Sequence, residues 1–286
     1  VIVGYSNSTD GGRAFKYVDG TMTSLGVLPG GTSSSAYGVN SDGSVIVGSS
    51  DTAEGNRAYK YVDGTMTSLG ILPGGTHSQA VSVSSDGSVI VGFSESSSSE
   101  GYQAFKYDST NGMTGLGFLT GGSNSYANDV SGDGSVIVGY SGTTDGNRAF
   151  KYVDGTMTSL GVLTGGTSSS ANDVNSDGSV IVGYSDSAVG KNRASKYVDG
   201  TMTSLGTLPG GATLNSYAYG VSGDGSVIVG FSGSTDGNRA FKYVDGTMTN
   251  LGILSGGVGI MSMAFNVSLD GSVIVGWSGP LDGSRA

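Results

Sequence analysis

The chain has 286 residues, 54 of them glycine, and only 13% are charged, against roughly a quarter in ordinary globular proteins. Its net charge of −10 and pI near 4.3 argue against nucleic acid and anionic membranes as partners. The lack of cysteine excludes disulfides, zinc–thiolate sites and thiol nucleophiles, and no apolar run of about 18 residues is present that could insert into a bilayer.

A sequence of 44 to 47 residues recurs along the whole chain. Its core, Val-Ile-Val-Gly, begins at positions 1, 45, 89, 136, 180, 227 and 273, so that six full repeats precede a seventh that stops at Arg285-Ala286. Such a period indicates one supersecondary unit per repeat, which buries its apolar faces against its neighbours. We therefore expect a single repeat domain over residues 1–286. Because the chain opens inside a strand motif without methionine, we also expect it to be a piece of a longer protein.

Each repeat contains four short β-like runs, which we name A to D. The chain enters at run B, residues 1–6, and a polar loop leads to run C, residues 13–18. Asp19-Gly20 is typical of a tight hairpin turn, and it precedes run D at residues 21–26. Run A of the next repeat follows at residues 36–39. β-Branched and aromatic residues fill these runs, and no helical periodicity is sustained, which predicts an all-β protein.

The length differences between repeats are not spread evenly. The run A alanine always lies nine residues before the next run B valine, as Ala36 does before Val45. The longer repeats gain their extra residues at 95–101, 108–112 and 212–217. Since insertions are tolerated in solvent-facing loops, we expect the A–B hairpin to be constrained and the other connections to be exposed.

Run A carries the smallest side chains of each repeat and run C carries the largest, a taper typical of a blade whose first strand lies in the more crowded position. Four antiparallel strands in 44–47 residues match the blade of a β-propeller. We therefore predict a β-propeller-like array of six to seven blades. The alternative is a β-solenoid or an open superhelical array of the same units.

The repeats also resemble a known family. The residues concerned are Arg13-Ala14-Phe15-Lys16-Tyr17, then Leu25-Gly26-Val27-Leu28-Pro29-Gly30-Gly31, then Ser41-Asp42-Gly43-Ser44-Val45-Ile46-Val47-Gly48. This pattern is similar to the HAF repeat of bacterial extracellular proteins, including autotransporter passenger regions, and the similarity covers the whole chain. The resemblance implies an extracellular or cell-surface location and offers no catalytic residues. Ser195 departs from the aromatic pattern, so we expect the repeat around it to pack less well.

The basic residues occupy two fixed repeat positions, apart from Lys191. The arginines are Arg13, Arg57, Arg148, Arg193, Arg239 and Arg285, and the lysines are Lys16, Lys60, Lys106, Lys151, Lys196 and Lys242. We expect each arginine to pair with nearby carboxylates such as Asp10 or Asp42, because every repeat has the same structural need. The alternative is a ring of arginines that binds an acidic ligand.

The Asp-Gly turns between runs A and B raise a calcium hypothesis. The paired oxygen donors are Asn40/Asp42, Ser84/Asp86, Ser131/Asp133, Asn175/Asp177, Ser222/Asp224 and Ser268/Asp270. The ligand spacing of an EF-hand is missing, and Asx turns explain the pattern, so we predict no metal or cofactor. His77 is the single histidine, and it stands in a connector without the partners of a catalytic triad. We predict no catalytic residues.

The residue that follows Val-Ile-Val-Gly is aromatic in all but one repeat. These residues are Tyr5, Ser49, Phe93, Tyr140, Tyr184, Phe231 and Trp277. We expect them to pack between units, since large aromatic side chains are mostly buried. The alternative is that some reach solvent and stack on sugar rings.

Together these features predict a non-catalytic extracellular structural or adhesive module. The alternative is a glycan-binding, lectin-like propeller or a glycan-cleaving one. Possible partners are surface glycans and other copies of the chain, which would associate through the terminal repeats or a longer array. Residues 273–277 are surplus to a six-bladed ring, so we expect a seven-blade plan or a continuing array, because an unpaired strand edge invites pairing.

Overall fold

The computed structural model describes residues 1–9, 11–97, 101–254 and 261–279. These residues form strands and turns, without a helix among them. It follows that the described segments include no helix with the length and hydropathy needed to cross a membrane. The stub at Arg285-Ala286 and the side chain of Asp10 lie outside the described residues.

The chain divides into two compact units. The first comprises Val1–Ile137, Ser141–Thr143 and Tyr152–Met157, and the second comprises Val138–Tyr140, Thr144–Lys151 and Thr158–Ala286. The single domain expected from the repeats stays a prediction.

The first unit contains one three-stranded and two four-stranded sheets. Their strands, in the order in which they pair, are β1 (Ile2–Ser8), β2 (Gly11–Val18) and β3 (Thr21–Gly26); β4 (Ser34–Val39), β5 (Val45–Ser50), β6 (Arg57–Val62) and β7 (Thr65–Gly70); β8 (Ser78–Val83), β9 (Ile90–Glu95), β10 (Tyr102–Asp108) and β11 (Gly112–Gly115).

A fourth sheet has residues in both units, and the second unit continues with two four-stranded sheets and one described with two strands. The strands are β12 (Asn124–Val130), β13 (Ile137–Thr143), β14 (Gly146–Val153) and β15 (Thr156–Gly161); β16 (Ser169–Val174), β17 (Ile181–Ser185), β18 (Arg193–Val198) and β19 (Thr201–Gly206); β20 (Ser216–Val221), β21 (Ile228–Ser234), β22 (Gly237–Val244) and β23 (Thr247–Asn250); β24 (Met261–Val267) and β25 (Ile274–Gly279).

Five of these sheets contain runs A, B, C and D in chain order, each antiparallel to the next. The prediction of tandem four-stranded antiparallel units is therefore confirmed. The turn between runs C and D is also as expected, because Asp19 and Gly20 both have positive φ, 46° and 82°. That combination is a type I′ turn, whose twist matches that of the strands it joins.

The A–B turn is linked to its neighbours as well as to itself. Within the turn, the Val45 amide donates to the Asn40 side chain and the Ser44 amide donates to the Asp42 carboxylate, both at 2.9 Å. Between turns, the Ser41 amide donates to the Ser85 carbonyl in the next sheet at 3.3 Å. An inserted residue would separate these partners, which explains the constant nine-residue spacing.

The core lies between successive sheets. In the first unit, Val47, Ala58, Leu69 and Leu72 of the second sheet pack against Ala80, Val83, Ile90 and Phe105 of the third. The run C aromatic is fully buried in this layer. The Phe105 ring of the third sheet is therefore inserted into an aromatic socket lined by the second sheet, and Tyr59 and Phe241 are inserted in the same way against the sheets that precede theirs.

A buried serine joins each pair of successive sheets. The hydroxyl of Ser78, the first residue of its run A strand, accepts a hydrogen bond from the Ala58 amide at 2.9 Å and donates to the Gly70 carbonyl at 2.6 Å. The same two bonds are made by Ser34, Ser125, Ser169, Ser216 and Ser262. These groups belong to runs C and D of the preceding sheet, so each sheet satisfies buried polar groups of its neighbour.

Candidate functional site

The repeats differ most at the two run A positions that flank the buried alanine. These positions hold Ser35/Tyr37, Gln79/Val81, Tyr126/Asn128, Ser170/Asn172, Tyr217/Tyr219 and Met263/Phe265. Side chains alternate along a strand, so the position before the alanine faces away from the side that the alanine occupies, and the position after it is the extra residue of a β-bulge. Side chains that occur in one repeat and not in the others are therefore found at these two positions.

Five aromatic side chains in the second unit form what we call the aromatic cluster: Tyr184, Tyr217, Tyr219, Phe231 and Phe265. The Tyr217 ring lies 4.9 Å from that of Tyr184 and 5.0 Å from that of Phe231, centroid to centroid. The Tyr219 ring lies 5.8 Å from Phe231 and 6.1 Å from Phe265. These separations are those of attractive edge-to-face and offset pairs.

The aromatic cluster runs from the interior to the surface. Phe231 is 8% exposed, whereas Phe265 is 50% exposed. Burial raises the pKa of Tyr219 to about 12, and the neighbouring Tyr217 and Tyr184 hydroxyls add to the shift. The Tyr219 hydroxyl is therefore neutral at physiological pH and able to donate and accept hydrogen bonds.

Amide side chains surround the aromatic cluster. Asn192 Nδ2 donates to the Tyr217 hydroxyl at 2.6 Å, and its backbone amide donates to Asn215 Oδ1 at 3.1 Å. Asn172 Nδ2 donates to the Ala218 carbonyl at 2.8 Å. A half-exposed aromatic face bordered by oriented amides can stack on a sugar ring while polar groups meet its hydroxyls.

The first unit holds a smaller group of rings. Phe93, Tyr102 and Tyr126 lie with centroids 5.0 to 5.7 Å apart. Burial raises the pKa values of both tyrosines. Tyr37 stands at the repeat position of Tyr219 and is exposed.

The aromatic residues that the sequence singled out after Val-Ile-Val-Gly have different surroundings. Phe93 and Tyr184 pack against a ring of the next sheet, as expected, whereas Phe231 packs against Tyr217 of its own sheet. Ser49 is buried, Tyr140 and Trp277 are half-buried, and Tyr5 is 63% exposed. The run A tyrosines and Phe265, which complete the aromatic cluster, were not predicted, although the variability of run A was the available signal.

The arginines donate mostly to main-chain carbonyls, and Arg57 also pairs with a carboxylate as expected, since its Nη2 lies 3.5 Å from Glu54 Oε2. Arg57 Nη1 donates to the Thr76 carbonyl at 2.6 Å, in the connector that leads to the next sheet. Arg193 Nη1 donates in the same way to the Leu214 carbonyl at 2.7 Å. Arg13 and Arg148 donate to the carbonyls of Thr32 and Thr167. The connector carbonyls converge on the guanidinium group, which explains the difference.

Other charged residues also serve contacts between sheets. Lys60 Nζ lies 5.5 Å from the centroid of the Tyr107 ring in the next sheet, within cation–π range. Lys16 and Lys151 lie similarly over Tyr61 and Tyr197. Thus the recurring arginine position, and the lysine position in these three repeats, join neighbouring sheets, whereas Lys106 pairs with Asp108 of its own strand at 4.0 Å.

The carboxylates of the Asp-Gly turns are engaged inside their own turns. The Ser222 hydroxyl donates to Asp224 at 2.6 Å, and the Ser226 amide and hydroxyl donate at 3.0 and 2.8 Å. These bonds, that of Ser222 above all, lower the pKa of Asp224 to about 2. Within the described part of the chain, no three or more His, Cys, Asp or Glu side chains are grouped as a metal site.

His77 belongs to a connector clamp. Its Nδ1 lies 2.7 Å from Thr76 Oγ1 and 3.3 Å from Glu95 Oε2. Glu95 stands at the repeat position of Asp51, whose carboxylate accepts hydrogen bonds from the connector amides of Thr32 and Ser33 at 2.7 Å. The hydroxyl and the carboxylate both lie at Nδ1, which is not the relay order of a catalytic triad.

Tandem four-stranded antiparallel sheets that pack through tapered strands define an all-β protein of the β-propeller type. Solved structures support this class. The chain is similar to TolB from Acinetobacter baumannii (TM-score 0.54, 14% identity, 86% of this chain and 62% of that one) and to a putative TolB from Agrobacterium tumefaciens (0.53, 15%, 81% and 84%). It is also similar to a puromycin-hydrolyzing peptidase from Mycobacterium tuberculosis (0.57, 13%, 86% and 43%).

At these identities the likeness establishes the fold alone. The chain spans under two thirds of the Acinetobacter TolB and under half of the peptidase. No family profile and no curated protein matches the sequence. The resemblance to the HAF repeat and the number of blades stay predictions.

Proposed function

We propose that this chain is a non-catalytic structural and adhesive repeat module, secreted or displayed at a cell surface, that associates with further copies of itself. The observation that carries the proposal is the use of polar side chains. The serine position makes the same two bonds between sheets in all six described pairs of sheets, and the arginine and lysine positions repeat their contacts in several of them. An enzyme built on such a scaffold needs unique groups at one place, whereas these groups recur in equivalent places.

The extracellular location rests on the resemblance to the HAF repeat. Labelling intact cells with an antibody against the chain tests it, with a cytoplasmic protein as the control. Labelling only after lysis would contradict a surface location.

A second candidate is carbohydrate binding at the aromatic cluster. Phe265 and Tyr219 offer adjacent rings near solvent, and Asn172 of the preceding sheet donates to the carbonyl of Ala218, the residue before Tyr219. Aromatic faces stack on the apolar side of pyranose rings, and neutral hydroxyls and amides suit an uncharged sugar.

A glycan array followed by hydrolysis assays on every hit distinguishes the candidates. Turnover would overturn the non-catalytic proposal. Binding without turnover that is lost in Phe265→Ala would establish the glycan-binding candidate. Tyr37→Ala, at the equivalent of Tyr219 in the other unit, is the matched control and should leave such binding unchanged. If the chain neither binds nor cleaves glycans, the glycan-binding candidate is wrong and the structural module is the candidate that is left.

A further inference from the structure

A cavity of about 250 Å³ lies beside the last described sheet. Residues that line it are Ala240, Leu251, Leu254, Ala264, Ile274 and Gly276. Ala240 comes from β22 of the preceding sheet, Leu251 and Leu254 come from the segment that follows β23, and the others come from β24 and β25. The cavity is therefore placed between two sheets, where the other sheets have their core.

The lining repeats that of a filled aromatic socket. Ala240, Leu251 and Leu254 stand at the repeat positions of Ala58, Leu69 and Leu72. Ala264 and Ile274 stand at those of Ala80 and Ile90. In the first unit those five residues pack together with Phe105, a run C side chain that is fully buried. By shape and chemistry, the cavity is the socket for an aromatic side chain from a third strand.

The leucines that line this cavity are much more exposed than their counterparts in a filled socket. Leu251 and Leu254 are 45% and 69% exposed, whereas Leu69 and Leu72 are 6% and 4% exposed. Val273 and Val275 at the β25 edge are exposed as well. An apolar surface next to an unpaired strand edge is a site for strand addition.

The first sheet has the complementary features. Phe15, its run C aromatic, is half-buried, whereas its counterparts Tyr59, Phe105, Phe150 and Phe241 are fully buried. Phe15 lies on β2, which pairs with β1 from Ile2↔Tyr17 to Ser8↔Gly11. β1 has no other described partner strand, and its Val1, Ile2 and Tyr5 side chains are exposed.

β1 and β25 carry nearly the same sequence. Ile2-Val3-Gly4-Tyr5-Ser6 corresponds to Ile274-Val275-Gly276-Trp277-Ser278. β25 can therefore offer β2 the same register and main-chain hydrogen bonds that β1 offers. The six residues of β25 then take the place of the seven residues of β1 that pair with β2. The exchange buries Phe15 and the leucines of the socket, and it releases Val3 of β1 from the core on which it packs.

We propose that β25 of one molecule replaces β1 in pairing with β2 of a second copy and that Phe15 of the second copy enters the cavity. The result is a four-stranded sheet of β24, β25, β2 and β3 in the A-B-C-D order of the complete sheets. This inference rests on the self-association in the proposed function and identifies the surfaces involved. Because the contact joins two different ends, it repeats from molecule to molecule.

Sedimentation velocity on the 286-residue chain tests the contact. The unaltered chain is expected to form species whose mass rises with concentration. Phe15→Ala removes the ring and Leu254→Asp places a charge in the socket, so each variant alone is expected to stay monomeric. A mixture of the two variants has one intact surface of each kind and is expected to stop at the dimer.

Folding controls accompany these variants. Leu254 is largely exposed, so Leu254→Asp is expected to leave the circular dichroism spectrum unchanged. Leu214→Asp, at another exposed leucine of the second unit, is expected to associate like the unaltered chain. An unaltered chain that is monomeric at every concentration, or a variant mixture that does not dimerise, overturns the proposal. Glycan binding and hydrolysis are measured separately, so their outcome does not depend on association.

Trp277 offers a second readout, since it lines the cavity and is the single tryptophan of the chain. A peptide with the sequence of residues 146–155, Gly-Asn-Arg-Ala-Phe-Lys-Tyr-Val-Asp-Gly, is expected to shift Trp277 emission. Its phenylalanine-to-alanine version is expected to bind about a hundredfold more weakly, because truncation of a buried aromatic removes several kcal/mol. Equal effects of both peptides would overturn the assignment of the cavity as an aromatic socket.

Discussion

Two faces of the same strand behave differently in this molecule. On one face of run A, serine and alanine recur in every repeat and are buried against the preceding sheet. On the other face, the residue changes from serine to glutamine, tyrosine or methionine, and the rings of the aromatic cluster lie there. The first face packs against nearly the same residues of the preceding sheet in each repeat, so the same small side chains fit there each time. The comparison teaches that contacts between sheets account for the constant positions and that the groups on which the glycan-binding candidate rests stand at the variable ones.

The largest expected contrast is between two phenylalanines, one in each class of position. Phe241 is fully buried in a socket, so Phe241→Ala should lower the free energy of unfolding by about 3–5 kcal/mol. Phe265 is half-exposed in the aromatic cluster, so Phe265→Ala should lower it by about 1 kcal/mol or less. Urea denaturation measures both changes, and equal losses would contradict the distinction between the two faces.

A smaller loss is expected from one buried hydroxyl. In Ser216→Ala, the Ala194 amide and the Gly206 carbonyl lose their partner in the interior, and the free energy of unfolding should fall by about 2–3 kcal/mol. Ser204 provides the matched control. It is an exposed serine whose hydroxyl accepts a hydrogen bond from the amide of the same Gly206, so Ser204→Ala removes one exposed hydrogen bond. Denaturation curves that show the same midpoint for both variants would contradict a bridging role for the buried serine.

Ser195 permits a test in the opposite direction. It is buried at the position where Tyr59, Phe105, Phe150 and Phe241 fill sockets. Ser195→Phe should therefore restore apolar burial and raise the free energy of unfolding by about 1 kcal/mol, less than the full burial of a phenyl ring. Thermal unfolding measures the change. A lowered melting temperature would mean that the neighbouring side chains have already closed the space.

The smallest effect concerns the Asp-Gly turns and depends on pH. The pKa of Asp224 is lowered from 3.8 to about 2, mainly by the Ser222 hydroxyl, so its ionised form is the one that the folded state favours. Its contribution is present above about pH 4 and is lost as the pH falls toward about 2. Asp224→Asn should flatten the fall of stability across that interval. Urea titrations at successive pH values measure how the free energy of unfolding changes with pH. If this dependence is the same in the variant and the unaltered chain, the ionisation of Asp224 does not contribute to folding.

Much of the fold could be predicted because its signals are local. The Asp19-Gly20 turn and the bounds of β3 follow from residue type and alternation within a few positions. The start of β4 at Ser34, two residues before the predicted run, does not follow from such local signals. Serine has no preference for strands, and Ser34 joins the sheet because it pairs with Ser50 and bonds to the preceding sheet.

The candidate site depends on contacts between sheets, and these are not local. Tyr184 and Phe231 were singled out by their repeat position, but their contacts with Tyr217 come from two different sheets. The partners of the arginines were missed for a related reason. A connector carbonyl has no residue type that marks it, so the sequence could suggest only carboxylates as partners for Arg57 and Arg193.

The serine bridge also bears on how such a chain can lengthen. Since the run A serine satisfies groups in the sheet before it, the segment that contains one complete bridge extends from run C to the following run A. A duplication of one whole repeat places a run A serine after a run C and a run D, so it copies the bridge together with the strands. The A–B turn has the same length in every repeat. Unequal recombination within this turn therefore keeps the strands in the same order and the A–B spacing the same in every copy.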